Sequence, residues 1–200
     1  TTTTDTVTGI FDSNAALFTF NPKEITVDNE DPGFRIIESN QKNKLQSFFK
    51  KESEDKYKNL NFWMPPSKWT ATIGVNYYGD YINSAVYKKS GSGSNKTEWT
   101  TQIQIPGFYE VFVYTSELPM MGWRRRGSEE KKMQYYTVKH DDGEEEISVE
   151  TGRGRQGWMT LGSFYFSAGE AKITLSDKGS ESNQIIFADA VKWVYTNNNK

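Results

Sequence analysis

Pro106-Gly107-Phe108-Tyr109-Glu110-Val111-Phe112-Val113-Tyr114 decides the fold. A Pro-Gly pair punctuates the chain. Seven residues follow that are aromatic or β-branched, apart from one glutamate. Such residues suit a pleated, half-buried surface, and side chains along a strand alternate between its two faces. Tyr109, Val111 and Val113 therefore share one face, and Phe108, Glu110, Phe112 and Tyr114 the other.

Outward from this run the chain continues as strands. Tyr135 to Lys139 leads into His140-Asp141-Asp142-Gly143, a hairpin-type turn. Glu145–Glu150, Trp158–Phe166, Ala171–Leu175 and Ile185–Tyr195 follow. Upstream, Trp69–Val75 and Glu98–Ile105 alternate, and Ile25 and Val27 share a face just before the turn Asn29-Glu30-Asp31-Pro32-Gly33. Turn signals at this spacing predict a β-sandwich rather than βαβ units. Residues 38–62 differ: Leu45, Phe48 and Phe49 stand at i, i+3 and i+4, one face of a short helix, and Pro65-Pro66 ends any helix before the chain returns near Trp69.

The 200 residues carry 24 basic and 26 acidic side chains, a net charge of −2. No overall field favours nucleic acid or an anionic membrane, and no apolar run nears the roughly 20 residues of a membrane span. Only 35% of residues are hydrophobic but 14% are aromatic, so the expected core is built on Phe, Tyr and Trp. The absence of cysteine removes disulfides, thiolate metal sites and cysteine nucleophiles. The Thr-rich start without Met reads as a mature or excised fragment. The expected organisation is a polar linker or extension at 1–21, one domain at 22–196 with an insertion at about 37–67, and a polar tail at 197–200.

Five stretches in order resemble the golvesin C-terminal-like family, also called xanthan lyase-like. Val27-Asp28-Asn29-Glu30-Asp31-Pro32-Gly33-Phe34 is similar to its opening motif, and Pro106–Tyr114 to its central strand. Tyr136–Gly143 is similar to its hairpin, Gly157–Phe166 to its W-x-x-L-G-x-F-x-F strand, and Ala188–Trp193 to its closing motif. The resemblance implies an all-β jelly-roll sandwich akin to galactose-binding-like modules. It also implies an accessory, non-catalytic role in a secreted, periplasmic or surface-bound bacterial protein, beside neighbouring domains of a larger chain. The insertion and the basic Trp123–Arg126 loop depart from the family pattern.

No catalytic constellation emerges from the residues. His140 stands alone as a histidine, and its Asp-rich turn predicts local hydrogen bonding. No Gly-x-Ser-x-Gly elbow occurs. Gly152-Arg153-Gly154-Arg155-Gln156-Gly157 fits G-x-G-x-x-G, but a strand follows where a dinucleotide site needs a helix. The loop reads as a β–β connection. No catalytic residue and no cofactor are expected, except a structural calcium held by Asp28 or Asp31 with Asp189. Ligand-contact candidates are Trp123, Arg124, Arg125, Arg126, His140, Arg153 and Arg155, because aromatic faces stack on sugars and Arg forks grip carboxylates. The competing reading pairs these arginines with Glu129, Glu130 and Glu144–Glu146, and puts Trp158 in the core. The expected partner is an extracellular or cell-wall polysaccharide. The alternatives are a protein-interaction or spacer domain and, third, a lyase or hydrolase.

Overall fold

The computed structural model describes residues 23–39, 56–116, 131–152 and 154–196. The expected helix at 43–51 and the candidates Trp123, Arg124, Arg125, Arg126 and Arg153 lie outside these residues. The described chain is all β, with no helix. Its strands are β1 (Glu24–Val27), β2 (Phe34–Ile37), β3 (Thr70–Ile73), β4 (Ser84–Lys89), β5 (Lys96–Ile103) and β6 (Gly107–Thr115). They continue with β7 (Lys132–His140), β8 (Gly143–Thr151), β9 (Gly157–Phe166), β10 (Gly169–Gly179), β11 (Ile185–Ala188) and β12 (Val191–Thr196).

Three antiparallel sheets form, with orders β1-β12-β6-β9, β2-β5-β10-β7-β8 and β11-β4-β3. The first two close a jelly-roll sandwich around one core. The alternation read in β6 holds: Tyr109, Val111 and Val113 are buried with Trp193 and Val191 from β12 and Ile173 and Leu175 from β10. Trp99 and Trp193 are the largest fully buried side chains. Each removes about 200 Å² from water, on the order of 5 kcal/mol at ~25 cal/mol/Å².

Two expected strands are corrected. Ile185–Tyr195 is not continuous but breaks at Asp189-Ala190, so that β11 joins β4 while β12 pairs with β1 and β6. The break is fixed from inside, where Trp99 Nε1 donates to the Asp189 carbonyl at 3.1 Å. The strand from Trp69 starts at Thr70 and stops at Ile73, because Gly74 opens a loop closed by Tyr77 N–H on the Gly74 carbonyl and Gly74 N–H on the Asn83 carbonyl.

The third sheet has two covered faces. Val86, Ile186 and Ala188 point into the main core. Ala85, Tyr87, Ile185 and Phe187 point the other way, with Tyr77, and meet Leu60 and Phe62 from the insertion. The described part of the insertion thus caps this sheet without forming a helix. Asn59 and Asn61 also bond the Tyr87 hydroxyl.

Candidate functional site

At one end of the sandwich β1 runs into Asp28-Asn29-Glu30-Asp31-Pro32-Gly33. The turn is self-locked: Asp31 N–H donates to the Asp28 carbonyl, and Asp31 Oδ2 accepts the Asp28 N–H at 2.8 Å. Asn29 Nδ2 donates to Ser84 Oγ at 2.7 Å, and Ser84 Oγ donates to Glu30 at 2.7 Å. Lys56 seats its ammonium on the same glutamate. Gly33 is required, since a Cβ there would meet the Thr100 carbonyl at 2.4 Å.

The β3–β4 loop lies beside this turn. Gly79 has φ +147°, and a Cβ on it would lie 2.1 Å from the Ile82 carbonyl. Between the turn and the loop lies an open cavity of about 460 Å³. Asp28, Glu30 and Asp31 line one side, with Thr26. Tyr78, Asp80, Tyr81 and Ile82 line the other. Tyr81 is 88% exposed. Tyr78 is anchored. Its N–H donates to Asp189 Oδ2 at 3.2 Å, and its ring packs edge-on to Trp158, with centroids 5.1 Å apart. Tyr114 and Lys192 complete this aromatic shelf, the Lys192 Nζ lying 4.5 Å over the Trp158 ring.

The electrostatics at this end are unusual. Burial, reinforced by Asp31 and Glu30, pushes the Asp28 carboxyl up to about 7 against a hydrogen bond from the Asn29 N–H. Burial pushes Asp189 well above the usual carboxylate range, and Asp28 adds to it. Asp189 also accepts from Ser116 Oγ, yet its Oδ1 meets no donor. At 1% exposure Asp189 is sealed behind Tyr78. It therefore cannot work with Asp28 as an acid–base pair on a ligand in the cavity, because such a pair must reach the reacting atoms.

The structure separates the sequence candidates. Asp28 and Asp31 line the cavity, and Asp189 lies behind it. Of the residues expected to hold calcium, Asp31 gives one oxygen to its own turn, while Asp28 lies close enough to Asp189 to raise its carboxyl. Among the described residues no three His, Asp or Glu groups are placed to hold a metal ion. Arg155 pairs with Glu150 at 3.2 Å, not with Glu144–Glu146, whose Glu146 lies 3.9 Å from Lys178 instead. The next residue, Gln156, reaches the β3–β4 loop, where its Nε2 donates to the Asn76 carbonyl at 3.4 Å. Trp158 is half-buried on the outer face rather than in the core. His140 is elsewhere. It rests on Phe164, ring centroids 5.0 Å apart, with Nδ1 unpartnered, so the turn hydrogen bond expected of it is not made there. Asp141 instead ties that turn to Ser167. Phe164 is six residues along β9 from Trp158, about 20 Å at ~3.3 Å per residue. The G-x-G-x-x-G stretch is a β8–β9 connection, as read from sequence. Tyr78, Asp80 and Tyr81 were missed. Their stretch Asn76–Asn83 carries only turn-type signals, although three tyrosines in five residues (Tyr77, Tyr78, Tyr81) were a usable hint.

Comparison with known proteins fits this architecture. A xanthan lyase from Paenibacillus superposes with a TM-score of 0.58 at 20% identity, over 88% of this chain and 13% of that one. The chain thus spans a small part of that enzyme's length, and the likeness is one of fold. A family 35 carbohydrate-binding module from Clostridium thermocellum gives 0.47 at 13% identity, covering 85% of this chain and 98% of the module. No curated protein matches the sequence. Residues 56–195, well over half the chain, match the family model of the golvesin C-terminal domain, and the chain belongs to that family.

Proposed function

We propose that the domain is a non-catalytic glycan-binding module and that the cavity between the Asp28–Asp31 turn and the β3–β4 loop is its ligand site. The observation that carries this reading is Tyr81. A large aromatic ring stands 88% exposed at a cavity that is also lined by Ile82 and by the hydroxyl and carboxyl groups of Thr26, Tyr78, Asp28, Glu30, Asp31 and Asp80. Sugar rings offer C–H faces to an aromatic platform and hydroxyls to fixed polar groups, and convergence of both in a concave site marks a ligand site. The fold recurs over a minor part of a xanthan lyase, which supports an accessory role within a larger chain; the reading extends to an exported or envelope protein.

Affinity electrophoresis in gels cast with neutral, uronate-rich and amino polysaccharides tests the reading. Retardation by at least one class, lost in Tyr81→Ala, is expected. Unchanged mobility in all of them would sink it.

A second reading rests on Trp63 and Met64, 77% and 78% exposed at the tip of the insertion cap. Exposed neighbouring apolar side chains mark a protein contact. A cross-link from position 63 to a neighbouring domain, in the absence of any glycan retardation, would favour it.

A further inference from the structure

Thr26 belongs both to the cavity and to the outer face of the sheet β1-β12-β6-β9. We propose that this outer face continues the site as an aromatic track, along which further units of the same polysaccharide chain lie. The inference rests on the cavity being the glycan site.

Outward positions of a strand with one solvated face are ordinarily polar. Those of β10 and β7 follow the rule, with Lys172 opposite Lys139 and Thr174 opposite Thr137. Those of β6 do not: Phe108, Phe112 and Tyr114 share them with Glu110. On β9, Trp158 stands opposite Tyr114, and Tyr165 opposite Phe108. Aromatic pairs thus mark both ends of a face where no core requires them. Phe108 and Tyr165 are 45% and 36% exposed, with ring centroids 5.4 Å apart. From Phe108 to Tyr114 the strand advances about 20 Å at ~3.4 Å per residue, the length of several sugar rings laid end to end.

The track joins the cavity through two shared residues. Thr26 is the cross-strand partner of Lys192 and hydrogen-bonds the Tyr78 side chain. Tyr78 lines the cavity and packs on Tyr114 and Trp158, with centroids 5.7 and 5.1 Å away. Lys192 then ties the first rings to the next, its Nζ lying 4.5 Å from the Trp158 centroid and 5.7 Å from that of Phe112. Between Phe112 and Phe108 the face turns polar, where Glu110 stands opposite Ser163 and both are exposed. The core of a protein contact is depleted of charged residues, whereas Lys192 and Glu110 stand in the middle of this face. A polysaccharide suits the alternation, laying C–H faces on the rings and directing hydroxyls to the polar side chains between them.

The experiment is calorimetric titration of the whole chain with paired disaccharides and hexasaccharides of glucose, mannose, galactose and galacturonic acid. For at least one sugar the hexasaccharide is expected to bind about tenfold more tightly than the disaccharide. Phe108→Ala combined with Tyr165→Ala should remove most of that gain and leave disaccharide binding unchanged, whereas Tyr81→Ala should lose both. Ser163→Arg takes away no packing and obstructs the face between the two aromatic pairs. It should cut hexasaccharide affinity several-fold with an unchanged thermal melt. Gln102→Arg, on the outer face of the other sheet, should alter neither length. Equal affinity for the two lengths, parent-like hexasaccharide binding in Ser163→Arg, or an equal loss in Gln102→Arg would overturn the track and leave the cavity reading standing. Self-association of the parent in sedimentation, abolished by Ser163→Arg, would overturn it in favour of a second copy seated on the face. Silence with every oligomer would overturn the glycan reading itself.

Discussion

The main-chain N–H of Tyr78 donates to Oδ2 of Asp189 at 3.2 Å, and so fastens the cavity wall to the break between β11 and β12. That carboxyl and Asp28 both titrate above their ordinary range, Asp28 moving from 3.8 to about 7. In this window the folded chain holds more protons than the unfolded chain, so stability falls as pH rises through it. The groups facing the pair are Glu30 with its Lys56, Asp31, the hydroxyls of Tyr77, Tyr78 and Tyr136, Ser116 and the N–H groups of Asn29 and Tyr78. Thermal melts should therefore give a higher Tm at pH 5 than at pH 8. Asp28→Asn keeps the shape without the titration, and should flatten the decline and exceed the parent at pH 8. Identical slopes for parent and variant would refute the assignment.

Tyr81 and Trp158 should behave differently under truncation. Tyr81 projects into solvent, so Tyr81→Ala is expected to abolish glycan retardation and shift Tm by about 1 °C or less, as surface substitutions do. Trp158 supports Tyr78, Tyr114 and Lys192. Trp158→Ala should lower both binding and stability, the latter by about 2–3 kcal/mol in chemical denaturation. A Tyr81→Ala chain that melts well below the parent would show that its ring is structural.

The strands of the sandwich could be read because one face of each is wet. β6 alternates cleanly, and so do β7 and β10. β4 could not: Ser84 to Lys88 are all buried, because this strand lies between the main core and the insertion cap, and the period-two signal vanishes when both faces are covered. The break at Asp189 was invisible for a related reason, since Ile185–Tyr195 is an unbroken apolar-rich run whose change of partner is decided by Trp99, 90 residues away. Of the site, Asp28, Asp31 and Asp189 were legible as oxygen-bearing residues near the ends of strands. Their burial, Asp31's hydrogen bond within its own turn and the tyrosines opposite exist only in the fold.

The insertion cap offers a test of that two-sided burial. Phe62 and Leu60 pack on Tyr87 and Phe187, whereas Trp63, next in sequence, faces solvent. Phe62→Ala should cost about 1–3 kcal/mol, on the low side for a partly buried aromatic. Trp63→Ala should cost nothing measurable. The reverse order would mean that the cap docks by its other face.

Lys88 and Asp177 give the sharpest stability prediction. Their ion pair is sealed, with side chains 4% and 0% exposed. Asp177 also accepts from Gly93 N–H at 2.7 Å and Asn95 Nδ2 at 3.0 Å, and Lys88 Nζ lies 5.8 Å from the Trp69 ring centroid. Burial alone would raise the Asp177 carboxyl, but the Lys88 and Asn95 hydrogen bonds outweigh it and hold the group below its usual range. This contribution is thus present above the ordinary aspartate range and is lost as pH falls through the lowered value, the opposite sense to Asp28. The pair joins β4 to the bulge of β10, so it locks the third sheet to the sandwich. Lys88→Met strands a buried carboxylate and should cost about 3–5 kcal/mol. In Lys88→Met with Asp177→Leu the uncompensated charge is gone. Only Gly93 N–H and the Asn95 amide are left to find water, so much of the loss should return. Urea denaturation at pH 7 measures all three chains. A double variant no more stable than Lys88→Met would show that the Gly93 and Asn95 hydrogen bonds, rather than the charge pair, hold the lock.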